Sequence, residues 1–188
     1  MISGLHPRLA ELCTELDRTR DALLAAIERA PPGAVSTVPA PGAWSIAEIV
    51  EHLQIVEDGI GRALGKLAKQ ADVLGPETDA TSVLSCLDRF GLRDPKRPIK
   101  APPSVSPTGA ASLEESIAGL AASRARLLEM LSRVSGRALG EITAPHPLMG
   151  RLDFYQWLLF LAQHEERHSI QIRETAERLS NASAVARS

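Results

Sequence analysis

The segment His164-Glu165-Glu166-Arg167-His168 holds the densest reactive chemistry in this 188-residue sequence. On an α-helix, positions i and i+4 lie on one face a turn apart, so both imidazoles point the same way. Two nitrogens so placed can hold one divalent metal at roughly 2.0–2.1 Å each. They can equally be two hydrogen-bonded histidines near a helix end, and spacing alone does not separate these readings. Both continue an apolar stripe through Phe154, Trp157 and Leu161, which turns them inward, where each ring nitrogen needs a partner. His52 is the third candidate, three residues after Ile49 and four before Val56, on the border of another apolar stripe. Facing helices of a bundle converge side chains on the interior, which makes His52, His164 and His168 a candidate metal set. Three neutral imidazoles with one position left open is the arrangement of a catalytic divalent site. A solitary histidine at the core edge is the plainer reading of His52.

Other arrangements are weaker. His164-Glu165-x-x-His168 fits the zinc-peptidase helix motif, with the glutamate as general base. No histidine follows His168 to supply the downstream ligand, and no substrate-binding strands are evident. Glu165-x-x-His168 is also half of a di-iron carboxylate site, but Glu48 precedes His52 by four residues, so the other half is missing. His146 precedes the last helix in His146-Pro147-Leu148-Met149-Gly150 and reads as a loop-fixing residue, not a ligand. Cys13 and Cys86 have no C-x-x-C neighbour or adjacent base, and read as two reduced thiols.

The elements that must position these residues are helical. A first helix is predicted from Pro7 to Ala30, with Leu9, Leu12, Leu16, Leu23, Leu24 and Ile27 on its inner stripe. Pro7 suits its first position, where the missing amide costs nothing, and Pro31 and Pro32 stop it. Ser45 and Glu48 form a capping box for a second helix, flanked by Trp44 and Ile49 as a staple. Its stripe of Ile49, Leu53, Val56, Ile60, Leu64 and Leu67 carries it to about Gln70. A short helix is possible over Val83 to Phe90; beyond it Pro95, Pro98, Pro102, Pro103 and Pro107 predict an extended covering segment. Ser112 and Glu115 cap a third helix bearing Ile117, Leu120, Leu127, Leu128 and Leu131. After a loop from Gly136 to Gly150, Asp153 and Gln156 open a fourth helix that runs to about Leu179. Four long helices without sustained strand alternation predict an all-α four-helix bundle, with a long Pro-rich connection between helices 2 and 3. The bundle is a single domain over residues 1–180, and residues 181–188 are expected to fray.

Composition narrows the function classes. Lys plus Arg number 21 against 23 Asp plus Glu, a net charge of −2 that argues against a nucleic-acid-tracking surface. The longest uncharged run, Ala30 to Ala47, carries four prolines, so no membrane span is predicted. No signal-peptide pattern opens the chain, and the expected location is cytoplasmic.

Taken in order, Trp44-Ser45-x-x-Glu48-x-x-x-His52-Leu53, then His146-Pro147-x-x-Gly150, then Trp157 through His164-x-x-Arg167-His168-x-x-Gln171-Ile172, resemble the DinB/YfiT-like superfamily. The likeness is greatest to its branch with an HPxxG segment before the last helix, and the stretch from Lys100 to Pro107 also resembles that branch. The resemblance implies a four-helix bundle, often dimeric, with zinc or nickel held by three histidines. By position these are His52, His164 and His168. It also implies a metal-dependent thiol transferase or isomerase acting on a small molecule with a low-molecular-weight bacterial thiol as cosubstrate. Fold and family do not fix a reaction, so hydrolysis by a metal-bound water and a non-catalytic metal- or ligand-binding bundle both stand beside it. Glu165 or Glu51 is then a candidate to orient an imidazole or take a proton, though Glu165 adjoins His164 and neighbours do not share a helical face, which counts against it as the base; Gln171 is a candidate partner for one ligand.

Overall fold

In the computed structural model, which describes residues 4–31, 33–94, 96–97 and 99–185, four long helices form the bundle. They are α1 (Pro7–Glu28), α2 (Ile46–Leu67), α3 (Leu113–Val134) and α4 (Phe154–Val185). Pro32, Pro95 and Pro98, read as breakers, and residues 186–188 of the predicted frayed tail lie outside the described residues. The sequence signals for the helix starts hold. Pro7 opens α1. Ser45 with Glu48, and Ser112 with Glu115, make reciprocal capping boxes at α2 and α3. Asp153 and Gln156 exchange the same pair of bonds at α4, each amide donating to the other's side chain at 2.9 and 3.0 Å. Each box satisfies amides that a helix start leaves orphaned.

Three boundaries differ from expectation. The segment Val83 to Phe90 is helical only at its end, where Asp88–Phe90 make a short 3-10 helix after a run of turns. α4 continues past Leu179 through Val185. The supposed loop before α4 holds a hairpin of β1 (Thr143–His146) and β2 (Gly150–Asp153), paired antiparallel from Thr143 opposite Asp153 to His146 opposite Gly150. Four-residue strands interrupted by Pro145 are too short for alternation to show, and Gly150 makes the turn at φ +76°, a conformation that glycine adopts without strain.

α1 packs chiefly along α4, and α2 along α3, with a thinner seam between α2 and α4. The apolar interior has two clusters. One gathers Leu9, Leu12, Leu16, Leu127, Leu131, Phe154 and Leu158; the other Leu23, Ile46, Ile49, Leu53, Leu120 and Ile172. On α1 the predicted stripe is off by one position at its end: Leu24 is 38% exposed, while Thr19 and Ala26 are buried.

Between the clusters runs a layer that sequence reading missed, with one charged residue from each helix. Arg20 of α1 donates to Glu57 of α2 and to Glu165 of α4, both at 2.6 Å. Arg124 of α3 donates to Glu57 twice at 3.1 Å and to Glu165 at 3.4 Å. Thr19 and Ser123 hydroxyls donate to the same two carboxylates. The two cations and two anions cancel, and the carboxylate oxygens are bonded throughout, as charges removed from water require.

Candidate metal centre

α2 and α4 bring His52, His164 and His168 together, the one group of three or more potential ligands that converges among the described residues. One ligand atom from each lies within 4.8 Å of the others. His52 Nε2 and His168 Nε2 each stand 3.2 Å from His164 Nε2. The far nitrogens are fixed from behind. His52 Nδ1 donates to the Val105 carbonyl at 2.6 Å, and His168 Nδ1 donates to Gln171 Oε1 at 2.8 Å. With the proton on Nδ1, both Nε2 atoms carry lone pairs, and both face a His164 Nε2 that has at most one hydrogen to offer. A divalent ion resolves that mismatch, because three lone pairs aimed at one point is what it takes up. The residues present therefore fit a metal.

Burial keeps these rings neutral. It depresses the pKa of His52 and of His164, where the neighbouring imidazoles add to the effect, and it pushes His168 down to about 3. Neutral imidazole is the form that binds metal. His52 and His168 are buried, while His164 retains partial access. Its ring stacks on Phe160 at 5.3 Å, and all three histidines open onto a cavity of about 1200 Å³. Trp44, Trp157, Phe160 and Leu148 contribute to its apolar lining.

The Pro-rich connection supplies one wall. Its 3-10 turn at Pro103–Val105 presents the carbonyl that holds His52. Glu51, next to His52 on α2 but turned away from the histidines, clasps the same segment. It accepts from the Thr108 amide and hydroxyl at 3.1 and 2.5 Å and from the Gly109 amide at 2.8 Å. Glu165 is likewise committed elsewhere, to Arg20, Arg124 and Thr19. Neither glutamate is placed to take a proton at the histidines. Adjacent positions on a helix diverge, which is the physical reason for both corrections. Gln171 does meet its expected ligand. His146 accepts from the Leu148 amide at 3.1 Å and packs on Trp157 and Phe160, fixing the hairpin turn beside the cavity. Cys13 and Cys86 are free, and burial pushes both thiols up to about 11, so neither is a thiolate at neutral pH. No helix is long and apolar enough to cross a membrane among the described residues.

Gln171→Leu removes the acceptor that fixes the His168 tautomer. Partners of this kind are worth 10–100-fold in metal affinity, so zinc binding should weaken by about that factor. Competition with a chromophoric chelator reads it, and an unchanged affinity would mean that Gln171 plays no part in tuning the ligand.

Four helices presenting three converging imidazoles to an open cavity define a bundle of the three-histidine type. The chain belongs to the DinB superfamily, whose family model matches residues 15–172. It is 26% identical over 151 residues to the uncharacterized protein YuaE of Bacillus subtilis (strain 168), covering 77% of this chain and 84% of that one. Among solved structures it resembles that of TT2238, described as a four-helix bundle protein, with a TM-score of 0.60 and 27% identity. That match covers 88% of this chain and 98% of the other.

Proposed function

We propose that this chain is a divalent-metal-dependent enzyme that uses a small thiol to attack an electrophilic small molecule. The observation that carries it is the convergence of three imidazole Nε2 atoms at the floor of a large, accessible cavity. A divalent ion held there supplies positive charge that lowers the pKa of a coordinated thiol, giving a nucleophile at neutral pH. His52, His164 and His168 would hold the ion, Val105 and Gln171 orient two of them, and Phe160 and the tryptophans exclude water from the reacting end. The thiol gives up its proton to solvent; its sulfur then bonds to the electrophilic carbon as the leaving group departs with its electron pair.

Hydrolysis by a metal-bound water would proceed here without help from either glutamate. Activating water is helped by a general base within hydrogen-bond reach, and Glu51 and Glu165 are both engaged away from the histidines. The one carboxylate in the described cavity lining is Glu174, six residues or about 9 Å along α4 from His168. A thiol or a water would each ionise at a divalent ion without such a base, so dependence of turnover on added thiol separates the two.

The test starts from metal content by plasma mass spectrometry on untagged, chelator-free protein beside a His164→Ala/His168→Ala variant. About one ion per chain in the wild type and none in the variant is expected of a three-ligand site. Loaded protein is then assayed for thiol consumption with an aryl halide. Metal without turnover would leave a non-catalytic binding bundle, and no metal after incubation with zinc, nickel or manganese would overturn the three-histidine reading.

A further inference from the structure

A second polar feature of the cavity lies away from the histidines. Along α4 the positions His164, His168, Gln171, Thr175 and Arg178 fall at intervals of four, three, four and three residues, and all of them line the same cavity. That spacing keeps them on one face of the helix. The face is therefore a polar rail that begins at the candidate metal ligands and ends at a cation. Arg178 is ten residues beyond His168, about 15 Å along the axis, and a long helical side chain leans back toward the N-terminus, which shortens the gap to about 10 Å.

The charge of the lining is opposite to that of the chain. The whole sequence carries −2, yet Arg97, Lys100, Arg167 and Arg178 line the cavity against the single carboxylate of Glu174. Arg167 spends its guanidinium on the Leu92, Asp94 and Arg97 carbonyls, and Arg97 donates to the Phe90 carbonyl; both build the wall. Lys100 and Arg178 are exposed and have no ion-pair partner among the described residues; Glu174, one turn before Arg178, forms no bridge to it. A cleft lined by one sign of charge concentrates ligands of the other.

From these observations we infer that the cavity takes an elongated small molecule with an anionic group at one end, received by Arg178 about 10 Å from the histidines, with Lys100 as a second unpaired cation of the same lining. A carboxylate is the simplest such group. The apolar part of the lining, Trp44, Trp157, Phe160 and Leu148 among it, accommodates the body of the ligand, while the other end reaches the histidines. The inference rests on the thiol reading only for what that other end is.

Mercaptohexanoate and mercaptohexanol are a matched pair that differ in the distal charge. Their affinities are measured by quenching of the intrinsic fluorescence of Trp44 and Trp157, both in the cavity wall, on zinc-loaded and on chelator-treated protein. The carboxylate is expected to bind about tenfold more tightly than the alcohol at low ionic strength, the preference shrinking as salt screens it. Lys100→Met/Arg178→Met should bring the ratio to about one while zinc content and alcohol affinity stay as in the wild type. Equal affinities in the wild type, retention of the preference in the variant, or no binding of either probe would each overturn the inference. The zinc dependence of the two affinities is a separate readout: if zinc changes neither while the preference persists, the metal–thiol reading fails and the anion end stands.

Discussion

Glu57→Ala will cost this protein about 3–5 kcal/mol of unfolding free energy, a large share of the 5–15 kcal/mol that a domain typically has. Glu57 is 4% exposed and accepts from Arg20, Arg124 and Ser123 at once. Its removal leaves two guanidiniums against one carboxylate in a layer closed off by apolar clusters on both sides. Arg124, 6% exposed, also donates to the Leu16 carbonyl at 2.8 Å and has no route to water without disturbing α1. The sign depends on which partner is lost: replacing a buried ionic group entirely by apolar side chains of similar volume is often neutral. A Glu57→Leu/Arg124→Leu pair should therefore lose less than the sum of its single variants, by more than about 1 kcal/mol. Urea unfolding of the wild type, Glu57→Ala, the two single leucine variants and their double measures this, and a Glu57→Ala midpoint close to wild type would show that the layer contributes nothing beyond filling space.

The second large effect is on acid stability. Protein stripped of metal should lose stability as pH falls, starting near the ordinary imidazole pKa of about 6.5. His168 stays neutral in the folded chain down to about 3, and burial also lowers His52 and His164. Between those limits the unfolded chain binds protons that the folded one refuses, so each step toward acid favours unfolding. From about pH 7.5 to pH 5, above the carboxylate range, His168 alone contributes a loss of about 2 kcal/mol. A His168→Phe variant, which keeps a ring at the site, should show a correspondingly shallower slope. Identical slopes for the two proteins would mean that His168 is protonated as readily in the bundle as in the open chain.

Most of what positions the site is written in local sequence. Capping boxes at Ser45, Ser112 and Asp153 are short-range codes, and each marks its helix start correctly because the bonds involved span three residues. The histidine set was legible for a similar reason, since stripe position and i, i+4 spacing already turn His164 and His168 inward. What failed to show were features that depend on partners far away in the chain. Arg20, Glu57 and Arg124 carry no local signal that sets them apart, and only the meeting of four helices joins them with Glu165 in an interior layer. Glu51 and Glu165 are candidates for proton transfer in sequence, although adjacency to His164 already counts against Glu165; geometry sends one to the Pro-rich wall and the other to the arginines. Leu24 misled through hydrophobicity, while Thr19 at the buried position finds its bond in Glu165.

The thin seam between the α1–α4 pair and the α2–α3 pair has a topological consequence. His52 stands on one side of it and His164 and His168 on the other, 112 residues apart in sequence for the closest pair. An ion shared by them would act as a removable crosslink closing that whole length of chain. Closing a loop of about a hundred residues is worth on the order of 4–5 kcal/mol of chain entropy in the disulfide case. Unlike a disulfide, this tie can be drawn off by a chelator or a competing thiol. The same event that empties the site would then also remove one tie between the two halves of the bundle, leaving the ionic layer and the apolar clusters to hold them.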